Sequence, residues 1–137
     1  DINYAKQVVK NFRNIEISDD KALDFLNDSS IILHVALDGD TVIAYLLTYR
    51  LKRLDSDNVM LHPYHLFVSD RYQKQGIGKK MIETIKEYAQ NNKTHYMYLI
   101  TQTDNMNARN LYEKLGGYNH PDNHEVYYWY YEGQPKI

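Results

Sequence analysis

Hydrophobic and polar positions change their spacing several times along the chain. The segment from Ile2 to Phe12 repeats its apolar residues at helical intervals, and Ser18-Asp19-Asp20 opens a second helical segment. Ile31 to Leu37 and Thr41 to Leu51 are apolar and rich in β-branched residues, and Asp38-Gly39-Asp40 between them is a strong hairpin signal. The pattern therefore predicts two helices followed by an antiparallel pair of strands.

A third strand is predicted from Val59 to Val68, although Pro63 lies within it. Proline cannot donate to a strand ladder, so we expect a bulge there or a strand that parts from its neighbour. The elements predicted beyond it are a helix from Gly76 to Gln90, a strand from His95 to Thr101, a helix from Asp104 to Leu115 and a last strand from Glu125 to Tyr131. The strand–helix–strand unit from Val59 to Thr101 should have parallel strands and a right-handed crossover. Together with the antiparallel hairpin, it predicts an α/β fold with a mixed sheet.

Composition narrows the function classes. The chain has 137 residues, 43% of them hydrophobic, which predicts one domain over residues 1–137. A net charge of −2 without a basic run argues against nucleic-acid binding, and no segment approaches a membrane span. There are no cysteines, and the six histidines lack metal-ligand spacing, so we expect a cytoplasmic protein without a metal.

The loop between the third strand and the next helix collects cations. It passes through Gly76 and Gly78, and the positive charges around it are Arg71, Lys74, Lys79 and Lys80, with no acid in the helix before Glu83. Helix starts favour acids because of the helix dipole, so a bound polyanion would explain this placement. The alternative is an ordinary strand-to-helix turn with exposed lysines.

Two motifs extend this observation. Gln73-Lys74-Gln75-Gly76-Ile77-Gly78 fits the pattern [Gln/Arg]-x-x-Gly-x-[Gly/Ala], and the stretch from Asn105 to Gly116 fits Asn-x-x-Ala-x-x-Leu-Tyr-x-x-x-Gly. With these motifs in this order, the chain resembles the GNAT superfamily of N-acetyltransferases from about Ile31 onward, most strongly over Val59 to Gly116. Family members usually have a strand before the first helix, whereas this sequence starts at that helix.

The resemblance implies a central mixed sheet with helices on both faces and a splayed strand pair at an acetyl-CoA site. It implies that loop amides hold the pyrophosphate and that the strand before the loop pairs with the pantetheine arm. The implied contacts are Leu66, Phe67, Val68, Gln73, Lys74, Gln75, Gly76, Ile77, Gly78 and Lys79. Asn105 and Asn107 would contact the pantetheine arm, and helix capping is the other role open to them.

The implied reaction is direct transfer of the acetyl group to a neutral amine. The Val68 amide would polarise the thioester carbonyl, and Tyr112 would protonate the departing thiolate, although its spacing also suits a core aromatic. The central strand lacks the carboxylate that many relatives use as a base. His65 is the best candidate in its place, with a packed or surface histidine as the alternative. The weaker candidates are His62, His120 and His124.

The acceptor is expected to be a small-molecule amine. The stretch from Pro63 to Val68 looks most like aminoglycoside 3-N-acetyltransferases, which would link the chain to antibiotic resistance, but His65 stands where they carry Asp. Acids that could serve a cationic acceptor are Asp55, Asp57, Asp122 and Glu125. An acetyltransferase of another small amine or of a protein, or a catalytically silent acetyl-CoA-binding module, are the alternatives. The aromatic last strand could also serve a homodimer interface.

Overall fold

A computed structural model of the chain describes residues 1–119 and 125–132. Its elements in chain order are α1 (Ile2–Arg13), α2 (Asp19–Leu26), β1 (Ile31–Asp38), β2 (Thr41–Leu51), β3 (Val59–Val68), a short 3₁₀ helix (Asp70–Tyr72), α3 (Ile77–Asn91), β4 (Thr94–Met97) and α4 (Met106–Lys114). The order confirms the predicted sequence of helices and strands as far as α4. None of the helices in the described part of the chain is long and apolar enough to cross a bilayer.

The prediction of a last strand from Glu125 to Tyr131 is wrong. The backbone of this segment is irregular, and its aromatic side chains are exposed, with Trp129 at 73% and Tyr131 at 91%. Aromatic residues favour strands mainly through packing against neighbouring strands, and within the described residues this segment pairs with none. Its use as a homodimer interface stays a prediction.

The four strands form one mixed sheet in the order β1-β2-β3-β4, with the first two pairings antiparallel and β3 parallel to β4. Side chains alternate between its faces. On one face Leu46 and Leu61 pack with Ile85 of α3, and on the other Tyr45 packs with Val8 of α1. The prediction of helices on both faces of a mixed sheet is confirmed.

β3 contains a bulge and parts from β4, as expected from the proline at position 63. Leu47 on β2 pairs with His65, but the next residue of β2, Thr48, pairs with Pro63, so Tyr64 is an extra residue in β3. On the other side, β3 pairs with β4 only as far as Leu61. From there to Val68 the strand keeps β2 as its neighbour and leaves its second edge without a strand among the described residues.

The end of α4 is fixed by two glycines. Gly116 has a φ of +88° and its N–H donates to Glu113 O, while the Gly117 N–H donates to Tyr112 O at 2.8 Å. This is a Schellman motif, and Lys86 of α3 donates to the neighbouring Leu115 carbonyl. The motif holds the turn of α4 that carries Tyr112 against α3.

Gly117→Ala should lower the free energy of unfolding by about 1–3 kcal/mol, because an added Cβ would lie 2.8 Å from the Tyr112 carbonyl oxygen. Gly78→Ala is the matched control, since its Cβ would meet only Leu111 Cδ2 at 3.8 Å and helix propensity would favour it. Urea unfolding of both variants measures the difference. Equal stabilities would contradict the tight approach at the end of α4.

Candidate active site

The second edge of β3 offers unpaired backbone groups. The Ser69 N–H donates to Ile43 O of β2 at 2.8 Å. Successive residues of a strand direct their N–H and C=O groups to opposite sides, so the amides of Val68 and Leu66 face away from β2. The Val68 carbonyl agrees with this geometry, because it accepts from Gln73 Nε2 at 3.1 Å. The free edge therefore presents main-chain donors and acceptors to a ligand.

The loop after β3 is held in a fixed shape by its own side chains. Gln73 Nε2 also donates to Asp70 Oδ1 at 3.2 Å, and the Tyr72 hydroxyl donates to Asp38 in the hairpin turn. Lys74 and Gly76 have φ angles of +62° and +82°, which turn the chain sharply into α3. The loop thus connects the free edge of β3 directly to a helix N-terminus.

The N-terminus of α3 is suited to bind an anion. Gly76 at the N-cap position has no side chain to accept from the helix, and the first intrahelical bond runs from the Lys80 N–H to Gly76 O at 3.0 Å. The amides of Ile77, Gly78 and Lys79 precede that bond and point out of the helix. Lys79 Nζ lies 3.9 Å from Glu83 Oε1, and this exposed ion pair contributes little to stability. Helix dipole and lysines together favour negative charge here.

Helix α4 packs against the first turn of α3 and carries Tyr112. Leu111 lies 3.8 Å from the position of a Cβ on Gly78, and the Tyr112 ring packs against the core on the α3 side of the sheet. Burial raises the pKa of the Tyr112 phenol, so it stays protonated at neutral pH. Asn105 caps α4, since its Oδ1 accepts from the Ala108 N–H at 3.1 Å, and Asn107 is exposed in the first turn.

His65 lies on the opposite face of β3 from Tyr112. It faces the α1 side with Phe67, whose ring centroid is 5.5 Å away, whereas Leu66 and Val68 pack on the α3 side. Burial, and then the positive charge of Arg13 at the end of α1, lower the pKa of His65. The imidazole is therefore neutral at pH 7 and can accept a proton. The free edge of β3 runs between the two candidate catalytic side chains.

Several other predicted residues are engaged in contacts of their own. The His62 ring stacks on Tyr98 at 4.4 Å and its Nδ1 hydrogen bonds to the Tyr98 carbonyl, which is a structural role. Asp55 forms a two-bond pair with Arg53, and Glu125 accepts from Tyr127 at 2.6 Å. Asp57 is exposed in the loop before β3. His120, Asp122 and His124 lie outside the described residues. Across residues 1–119 and 125–132, no group of acidic and histidine side chains could hold a metal.

A row of rings beside the free edge was missed in the sequence. We call it the aromatic strip; its members are Tyr98, His62, Tyr64, His65 and Phe67. The extra residue in the bulge turns Tyr64 to the same side as His62 and His65, which strict alternation would not predict. The effect of Arg13 on His65 was missed as well, because the two residues lie more than fifty positions apart in the sequence. Only the bulge signal at Pro63 pointed toward the strip.

Comparison with known proteins agrees with this geometry. Residues 5–117 match the model of the acetyltransferase (GNAT) family. An aminoglycoside acetyltransferase from an uncultured soil metagenomic sample, solved with sisomicin, is similar at a TM-score of 0.76 and 20% identity, over 98% of this chain and 91% of that one. A ribosomal-protein-alanine N-acetyltransferase from Brucella melitensis biovar Abortus 2308 is similar at a TM-score of 0.70 and 17% identity, over 94% of each chain. No curated protein matches the sequence significantly.

The two structural relatives share the fold and carry different acceptors in their names, so the likeness to them extends to architecture alone. The family model, in contrast, spans most of the sequence and includes β3, the loop and α4. Because the family model covers the strand, the loop and the helix of the candidate site, the chain belongs to the acetyltransferase (GNAT) family and is an N-acetyltransferase.

Proposed function

We propose that this enzyme transfers an acetyl group from acetyl-CoA directly to the primary amine of a small molecule, in the cytoplasm. The observation that carries the proposal is the continuity between the free edge of β3 and the uncapped N-terminus of α3. The free edge of β3 offers main-chain pairing to an amide-containing arm, and the N-terminus of α3 offers backbone amides and lysines to a polyanion. Pantetheine and pyrophosphate are joined in that order in acetyl-CoA.

The residues present fit such a cosubstrate. A side chain on Gly76 would project into open space, so the backbone around it is accessible to phosphate oxygens. Lys74 and Lys79 flank that position and are exposed. We assign the pyrophosphate to the amides from Gln75 to Lys79 and the pantetheine arm to the free edge of β3, where the outward Val68 amide is kept for the thioester carbonyl. Asn105 and Asn107 lie at the start of α4 and could contact the arm, with Asn105 already engaged as the helix cap.

The chemistry assigned to this chain is a single displacement. The acceptor nitrogen forms a bond to the acetyl carbon, the carbon–sulfur bond breaks, and the Val68 N–H stabilises the negative charge on the carbonyl oxygen. Tyr112 gives its proton to the leaving thiolate. Its raised pKa keeps the proton on the phenol at neutral pH until the carbon–sulfur bond breaks, and the phenolate left behind regains a proton from solvent after the transfer.

We assign removal of the amine proton to His65. It lies three positions before Val68, or about 10 Å along a strand, so the proton would travel through a chain of waters. The lowered pKa suits this role because the neutral imidazole predominates at pH 7. A protein amine as acceptor, and a silent acetyl-CoA-binding module, are the alternatives to this proposal.

Gly76→Val should weaken acetyl-CoA binding at least tenfold, because a β-branched residue disfavours a φ of +82° and its methyl groups would occupy the space assigned to the pyrophosphate. Lys93→Val is the matched control, since Lys93 has a φ of +48° and is exposed beyond the far end of α3. Isothermal titration with acetyl-CoA measures both. If the two variants bind equally well, the loop does not hold the pyrophosphate.

Tyr112→Phe should reduce kcat by about 10²–10⁴-fold while the Kd of acetyl-CoA stays unchanged, because only the proton donor is lost. Tyr88→Phe removes a hydroxyl from another partly buried ring on the same core and should leave kcat unchanged. Release of free thiol measures turnover. An unchanged kcat in Tyr112→Phe would exclude Tyr112 as the acid. If the wild-type chain binds acetyl-CoA but none of the amines tested causes release of thiol, the chain is a silent module.

The acid limb of the kcat/KM profile should lie below the usual histidine pKa, because activity falls as pH drops and His65 gains a proton. Arg13→Gln should raise the His65 pKa and move this limb to higher pH, only partly, since burial remains the larger cause. Lys10→Gln, one turn earlier on α1, is the charge-matched control. The ratio of variant to wild-type profiles cancels the titration of the acceptor amine, and a flat ratio for Arg13→Gln would exclude His65 as the base.

A further inference from the structure

We infer that the aromatic strip binds the acceptor and selects an amine carried on a planar aromatic body with no further positive charge. This inference rests on the proposed function, because it assigns the acceptor of that same site. It differs from what the sisomicin complex of the metagenomic relative would suggest, since an aminoglycoside is a polycation.

The strip is continuous along the α1 face of β3. The ring centroids of Tyr98 and His62 are 4.4 Å apart with planes 8° from parallel, and those of Tyr64 and His65 are 4.2 Å apart. His62 and Tyr64 are joined at 5.7 Å, and His65 and Phe67 at 5.5 Å. These separations are typical of stacked and edge-to-face pairs, so each ring restrains the next. The result is a preformed apolar surface beside the free edge.

The strip is accessible at one side and supported at the other. Tyr64 is 53% exposed, Phe67 46% and Tyr98 37%. Beneath Phe67, the Tyr45 ring is 3% exposed and stacks on it at 5.5 Å, with Phe12 of α1 packed behind. Clustered exposed rings on a rigid base are typical of ligand surfaces. An acceptor ring that stacks on Tyr64 would lie next to His65, the assigned base.

Arg13 places a positive charge near the strip. Arg13 acts on both His65 and Tyr45, and the electrostatic influences on His65 among the described residues include no carboxylate. Asp55, a candidate for binding a cationic acceptor, is engaged by Arg53 in two hydrogen bonds at 2.9 Å. A polycation would meet the positive charge of Arg13, and no carboxylate in residues 1–119 and 125–132 acts on His65 to offset it, so like-charge repulsion disfavours a polycation. A single amine can instead approach as the neutral base that the reaction requires.

The aromatic acceptor surface also explains the residue at position 65. The aminoglycoside pattern places an aspartate there, where a carboxylate would attract a cationic sugar. Here the position holds an imidazole that stacks on Tyr64 and contacts Phe67. The substitution exchanges charge attraction for ring stacking at the point where the acceptor would enter.

The test compares kcat/KM for phenethylamine, sisomicin and spermidine with acetyl-CoA, together with binding of phenethylamine to the chain alone by saturation-transfer NMR. Phenethylamine should be the best acceptor, and its aromatic protons should show the transfer. Tyr64→Ala should lower its kcat/KM by about three- to tenfold, and Tyr64→Phe should retain it, because the ring provides the contact. Tyr128→Ala, which removes a similarly exposed ring elsewhere, should change nothing.

Arg13→Glu tests the electrostatic part. It should raise kcat/KM for sisomicin and spermidine several-fold relative to phenethylamine, because the repelling charge becomes attractive. Efficient use of sisomicin by the wild type, or an unchanged phenethylamine kcat/KM in Tyr64→Ala, would overturn the inference and leave the proposed function intact. Phenethylamine binding that is lost in Tyr64→Ala, without thiol release from any amine, would support the strip as a ligand surface and refute the proposed function.

Discussion

The parting of β3 from β4 after Leu61 is the constraint on which the site depends. β3 continues for seven residues with β2 as its only strand neighbour in the described structure. Pro63 cannot donate to a ladder, and Tyr64 is inserted beside it, so pairing with β4 is not extended. The backbone groups left free are the ones we assign to the pantetheine arm. Had the two strands stayed paired to Val68, that edge would be occupied by β4.

The same strand lies between the two side chains that we propose for proton transfer. Tyr112 and His65 lie on opposite faces of the sheet, and burial acts on both in the direction their roles need. It disfavours the phenolate, so the tyrosine keeps its proton at neutral pH, and it disfavours the imidazolium, so the histidine stays unprotonated. One physical effect thus sets the protonation state that each proposed role requires.

Local signals in the sequence predicted what depends on local physics. Asp38-Gly39-Asp40 marked the hairpin, Pro63 the disturbance in β3, and Gly76 the turn into α3. The last strand was mispredicted because strand formation depends on a neighbour that propensity does not specify. Arg13 and the aromatic strip could not be predicted, since one depends on the docking of α1 and the other on the register change at Tyr64.

A backbone amide NMR titration with acetyl-CoA tests the central claim most directly. The account predicts that the Val68 amide and the amides of Ile77, Gly78 and Lys79 shift together with one Kd, because the edge and the helix N-terminus bind one molecule. Saturable binding that leaves these amides unmoved and instead shifts residues elsewhere, such as those from Tyr127 to Tyr131, would contradict it.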